Sequence, residues 1–181
     1  MDGSAVCGIG VSHELKDGWE IIPDNAGSIT IKNINLIITS TSTGIGANED
    51  ATCSDILIEN SKLQITPEPK NIAAIGASVR STSAPSVCGN ITIRYSEIYA
   101  STGFWAEGYD LEASVIGTSG SSSESTTCGD INIYLKLGQS EDDFKKNLKA
   151  DKALPIGNGV WELRSPNKAA TGTITFYPFA N

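Results

Sequence analysis

Cys88-Gly89-Asn90-Ile91-Thr92-Ile93 is the stretch on which the reading of this chain turns. Cys53-Ser54-Asp55-Ile56-Leu57-Ile58 stands before it and Cys128-Gly129-Asp130-Ile131-Asn132-Ile133 after it. Cysteine-free copies flank these at Ala26-Gly27-Ser28-Ile29-Thr30-Ile31 and Thr171-Gly172-Thr173-Ile174-Thr175-Phe176. In each copy two large apolar residues flank one that is usually polar. This period-two alternation marks a strand with one wet face. The small residue ahead of it allows a tight corner. The strands start at residues 29, 56, 91, 131 and 174, at intervals of 27, 35, 40 and 43, the range of a stacked repeat.

A second phrase recurs out of step with the first, as Ile9-Gly10, Ile45-Gly46, Ile75-Gly76, Ile116-Gly117 and Ile156-Gly157. A third element follows the strand in three units: Leu36 with Ile38, Leu63 with Ile65, and Ile98 with Ala100. Three short strands per turn predict an all-β chain, a right-handed parallel β-helix (β-solenoid) of about four to five coils. Right-handed winding is the rule for parallel crossovers. Coils about 4.8 Å apart place like residues over one another, so a thin core suffices. Residues 1–181 are expected to form one repeat-built domain, with an open edge at each end that must be covered or charged.

Hydrophobic residues make up 39% of the chain and the net charge is −8. No apolar run approaches the length of a membrane span, so no membrane insertion is expected. The acidic balance argues against nucleic acid and against an anionic membrane surface. Three of the four cysteines share one repeat position, Cys7 belongs to the other phrase, and no Cys-x-x-Cys pair occurs. They read as small apolar residues stacked at a corner, with adjacent-coil pairing left open. The sole histidine, His13, is remote from them in coil register. No metal, cofactor or catalytic set is expected. Asn48-Glu49-Asp50, with Asp55 near, offers oxygen ligands of the kind calcium takes, but the ordered calcium-binding repeat is missing and a solvated acidic turn is expected instead.

Between the repeats, residues 12–25 read as a loop around Trp19 with a turn at Pro23-Asp24-Asn25. Asn33 and Asn60 stand at equivalent corners suited to a left-handed backbone. Ser140 with Asp143 forms a capping-box pattern, and Phe144 with Leu148 an apolar stripe, so one short helix is expected near residues 140–149, its lysines a solvated face. Tyr177-Pro178-Phe179 is expected to cover the last rung.

Gly103-Phe104-Trp105-Ala106-Glu107-Gly108-Tyr109-Asp110-Leu111-Glu112 is the least repetitive stretch. Aromatic faces with carboxylates suit a carbohydrate, through stacking on C–H faces and acceptors for hydroxyls. Trp105, Glu107, Tyr109 and Asp110 are therefore the candidate ligand-binding residues. The plainer reading has Phe104 and Trp105 plugging a longer coil while Glu107 and Asp110 face water.

The pairing of Ala73-Ala74-Ile75-Gly76 with Cys88-Gly89-Asn90-Ile91-Thr92-Ile93 resembles the Gly-Ile-Gly / Cys-Gly-x-Ile-x-Ile repeats of large surface proteins of gut and oral anaerobic bacteria. Some of these are labelled carbohydrate-binding domain-containing proteins. The likeness spans the chain except residues 103–112 and 138–152. Ala74, Val115 and Pro155 replace the first glycine in three copies. The chain opens on the Ile-Gly phrase without the strand that should precede it and without a signal peptide. A piece of a longer secreted or cell-surface protein with neighbouring domains is therefore expected, Met1 being an added start, with a natural cytosolic start as the alternative. The expected function is a non-catalytic binding or structural module, adhesive in character, with a glycan ligand on the 103–112 loop. The alternative is a polysaccharide-degrading β-helix enzyme, a lyase or hydrolase. That alternative rests on fold analogy, with Arg80, Arg94 and Arg164 isolated in sequence. Ice binding is disfavoured, because Leu57 and Asn132 interrupt the outward row Thr30, Leu57, Thr92, Asn132, Thr175.

Overall fold

The computed structural model describes residues 7–11, 14–16, 20–22, 24–40, 42–48, 50–67, 72–78, 85–102, 111–120, 125–150, 153–161 and 167–180. The chain is a parallel β-solenoid, and each turn has four strands rather than the three expected. The Ile-Gly column stacks Ile9–Val11, Ile45–Ala47, Ile75–Ala77, Ile116–Thr118 and Ile156–Gly157. The Cys column stacks Asp24–Ala26, Ala51–Cys53, Ser86–Cys88, Thr126–Cys128 and Ala169–Thr171. The Ile-x-Ile column holds Ile29–Lys32, Ile56–Glu59, Ile91–Arg94, Ile131–Tyr134 and Ile174–Tyr177. The Leu-x-Ile column holds Asn35–Ser40, Lys62–Pro67, Glu97–Ser101 and Leu148–Lys149.

Register follows the sequence phrases residue for residue. Ile91 pairs with Ile56 and Ile131, and Leu63 with Leu36 and Ile98. Ile56, Ile58, Leu63, Ile65, Ile75, Ile91, Ile93, Ile98, Ile116 and Ile131 are fully buried. Each stabilises the fold by roughly 1.5–3 kcal/mol relative to exposure. Ile9, Ile29 and Leu36 of the first coil are only half-buried, because no other strand among the described residues pairs on their outer side.

Cys53, Cys88 and Cys128 close strands just ahead of the corner rather than sitting in it. Cys53, Cys88 and Cys128 are buried in register and all four thiols are free. Burial pushes the Cys7 thiol up to about 12. Cys53 and Cys88 are also pushed up, each first by the sulfur stacked on it.

At the corner after cysteine the backbone ladder breaks, and side chains bridge the gap. The Oδ1 atoms of Asp55, Asn90 and Asp130 accept from the N–H groups of Asn90 (2.8 Å), Asp130 (2.9 Å) and Thr173 (2.8 Å) of the next coil. A Cβ on Gly89 would lie 2.6 Å from the Asp55 oxygen. The glycine of Cys-Gly-x therefore makes room for the carboxylate beneath it. At the following corner Asn33, Asn60 and Tyr95 all take left-handed φ of 48–54°. The asparagines do so as expected from sequence, whereas Tyr95 pays the usual side-chain penalty there. The Ser61 and Ser96 hydroxyls accept from the N–H of Ile34 (3.3 Å) and of Ser61 (3.0 Å) in the preceding coil.

Other expectations are corrected. Residues 12–25 include an antiparallel pair, Glu14–Lys16 with Glu20–Ile22, and Asp24–Ala26 is a strand of the Cys column rather than a turn. His13, Trp19 and Pro23 lie outside the described residues. Asn48 and Asp50 are buried, not solvated, Asp55 is committed to its corner ladder, and Glu49 lies outside the described residues. The helix is a single turn, Glu141–Lys145, with both capping-box bonds formed at Ser140. Leu148 is not helical; it continues the Leu-x-Ile column beside Ala100. That column's fourth rung was hidden from sequence reading by the thirteen residues separating it from Tyr134. Phe144 meets Phe176 of the last coil edge-on at 6.1 Å. Tyr177 stacks on Tyr134 at 4.4 Å and Phe179 meets Tyr95 at 5.5 Å. These closing aromatics therefore line the flank instead of covering the end.

Candidate functional site

The outward side chains of the Leu-x-Ile column are placed by the burial of their neighbours. Leu63 and Ile65 point in, so Lys62, Gln64 and Thr66 point out; Ile98 and Ala100 point in, so Glu97, Tyr99 and Ser101 point out. Register then puts Gln64 beside Tyr99, with exposed Ile37 on the other side of Gln64. Thr66 lies beside Thr39, and Ser101 beside Lys149. After the one-turn helix the chain crosses this face again and adds Lys146 and Asn147. Asn147 is locked in place because its carbonyl accepts from the Ala100 N–H at 3.1 Å.

The result is a groove of about 530 Å³ lined by Lys62, Gln64, Thr66, Tyr99, Ala100, Ser101, Lys146, Asn147 and Lys149. Glu97 organises one end. Its carboxylate takes the Lys136 ammonium at 2.7 Å, lies 3.6 Å from Lys62, and accepts the Tyr99 hydroxyl at 3.3 Å. Lys136, foremost, holds the Glu97 carboxyl below its usual range. The Lys62 ammonium sits 5.1 Å from the centre of the Tyr99 ring. Lys146 pairs with Asp143 at 2.8 Å, which raises the lysine and lowers the carboxyl.

Chemically the groove offers one aromatic face with its phenolic hydroxyl, two side-chain amides, two aliphatic hydroxyls and three ammonium groups. Such a set binds polyhydroxylated ligands by stacking and hydrogen bonding. Trp105, Glu107, Tyr109 and Asp110, the residues singled out from sequence, lie outside the described residues. Their segment leaves the groove strand directly, after Ser101 and Thr102, whose N–H donates to the Lys149 carbonyl at 3.0 Å. It returns at Leu111–Glu112, which pairs antiparallel with Val160–Trp161. Arg94 faces the Tyr134 ring at 4.9 Å, on a different column from the groove.

Sequence reading missed the groove because its residues come from positions 62–66, 99–101 and 146–149. The signal available was the shared register of Leu63 and Ile98, which already sets Gln64 against Tyr99. Among the described residues no group of three or more His, Cys, Asp or Glu is placed to hold a metal ion, and no helix is long and apolar enough to cross a membrane. Comparison with protein-family models, curated proteins and solved structures finds no match to this chain.

Proposed function

We propose that the chain is a non-catalytic glycan-binding module of a secreted or cell-surface protein, a stiff solenoid presenting the Leu-x-Ile face. The observation that carries this reading is the Tyr99 ring set among Gln64, Thr66, Ser101 and Asn147 in a groove open to solvent. Trp105, Glu107, Tyr109 and Asp110, which follow Ser101 and Thr102 of that face in sequence, are proposed as further ligand contacts. The resemblance to repeat-built surface proteins of anaerobic bacteria supports a surface location and neighbouring domains. Every strand of this face is anchored by buried Leu, Ile or Ala on its inner side, which favours a preformed site.

A glycan array probed with the intact chain, followed by titration of any hit with tryptophan fluorescence, tests the proposal. Binding to at least one glycan is expected, weakened by Tyr99→Ala and by Trp105→Ala. Absence of any bound glycan overturns it. Release of shortened or unsaturated products from a bound polysaccharide overturns the non-catalytic part and favours the lyase or hydrolase alternative.

A further inference from the structure

We infer that the groove on the Leu-x-Ile face selects an anionic oligosaccharide, one carrying uronate carboxylates or sulfate esters, with its chain running along the solenoid axis. This rests on the glycan-binding reading and adds the ligand's charge and direction.

The charge distribution carries the argument. The chain has 21 acidic and 13 basic side chains, so its overall field repels anions. Against that background Lys62, Lys146 and Lys149 line one groove, and the neighbouring carboxylates, Glu97 at one end and Asp143 on Lys146, stand outside its lining. The three reach it from separate places in the chain: the second coil, the turn after the helix, and the fourth coil. Lys149 has no carboxylate partner among the described residues, and the Lys62–Glu97 separation of 3.6 Å is loose. Lys62 and Lys149, in this state, exchange solvent for a ligand anion at small cost, whereas Lys146, paired with Asp143 at 2.8 Å, contributes less.

Direction follows from register. Gln64 and Tyr99 are neighbours one coil apart, as are Ser101 and Lys149. Successive rungs rise by about 4.8 Å, close to the advance of one pyranose unit in an extended chain. An acidic sugar stacked on Tyr99 would place its neighbours over Gln64 on one side and beside Asn147 and Lys149 on the other. Lys62, held over the Tyr99 ring at 5.1 Å, would meet the charged substituent of the stacked unit. Thr66, Ser101, Gln64 and Asn147 supply partners for the hydroxyls.

Titration calorimetry of the intact chain with three probes tests this: tetragalacturonate, a heparin-derived tetrasaccharide, and the neutral carboxyl-reduced counterpart of the first. At least one anionic probe should bind about tenfold or more tighter than the neutral one, with affinity falling as salt rises. Which of the two binds separates carboxylate from sulfate recognition. Lys149→Gln should weaken anion binding about threefold, and the triple variant Lys62→Gln/Lys146→Gln/Lys149→Gln about tenfold or more, with the thermal midpoint close to that of the parent chain. Equal affinity for neutral and anionic probes, or an unaffected triple variant, overturns the inference. If the neutral probe binds equally and Tyr99→Ala abolishes it, glycan binding stands and only the charge selection falls. If neither these probes nor any array glycan binds, the underlying reading falls as well. A short oligothymidylate bound as tightly as the sugars also overturns the inference, because charge alone would then account for binding.

Discussion

The Ile-Gly and Leu-x-Ile columns are built by the same parallel register and put to opposite uses. In the first, both faces are closed. Ile45, Ile75 and Ile116 fill the interior, and Gly46, Gly76 and Gly117 take φ of 131–132° with the next glycine's carbonyl directly against them. No L side chain fits there, so the outer surface of this column carries no chemistry. In the second column the inner residues are apolar throughout while one outer row changes on every coil, from Ile37 to Gln64 to Tyr99. A solenoid can thus vary one row freely so long as the row beneath repeats.

The sharpest way to break this contrast is Gly76→Ala. The new methyl would be driven into the Gly117 carbonyl at a φ that alanine avoids, and we expect a loss of about 4 kcal/mol or more, or failure to fold, read by urea denaturation. Ile91→Ala, which empties a fully buried site in the neighbouring column, should cost about 2–5 kcal/mol by the same measurement.

Alkaline pH probes the closed side differently. The Cys7 and Cys88 thiols are raised by the fold, so their contribution is complete below the ordinary thiol range and is lost as pH climbs through it, up to about 12 for Cys7. Stability should fall above about pH 9 by about 1 kcal/mol per pH unit for each thiol. Cys88→Ala should flatten that slope; an unchanged slope would show that the buried thiols are not its source.

Asn90→Ala removes the acceptor for the Asp130 N–H at the corner and should cost about 1 kcal/mol. Asn90→Asp keeps the oxygen and should cost less. The smallest effect is expected on the open face. Tyr99→Ala should change stability by no more than about 0.5 kcal/mol while weakening glycan binding. A large loss of stability there would make Tyr99 part of the scaffold and erase the distinction between the two columns.

Most of the fold was legible because the repeat writes it plainly. Ile56, Ile91 and Ile131 had to stack once the phrase recurred, and Asn33 and Asn60 marked their corner. The Cys-column strand was overlooked because Ala51-Thr52-Cys53 and Thr126-Thr127-Cys128 lack the large apolar residues that mark a strand in sequence. The last Leu-x-Ile rung was misread because Phe144 and Leu148 sit at helical spacing, although the capped turn ends at Lys145 and Leu148 belongs to a sheet.

The sequence by itself determined which residues repeat, hence which side chains point inward and how the coils align, because period-two alternation and equal phrases admit one register. Only the tertiary structure decided which further residues join an outward row: Lys146, Asn147 and Lys149 reach the face of Gln64 and Tyr99 after the one-turn helix. A coil brings together side chains from 27 to 48 positions apart, Ile37 beside Gln64 and Ser101 beside Lys149 being the extremes, and the intervening loop lengths follow no rule that a single chain reveals. The groove exists because stacking converts distance along the chain into one step of about 4.8 Å across the sheet.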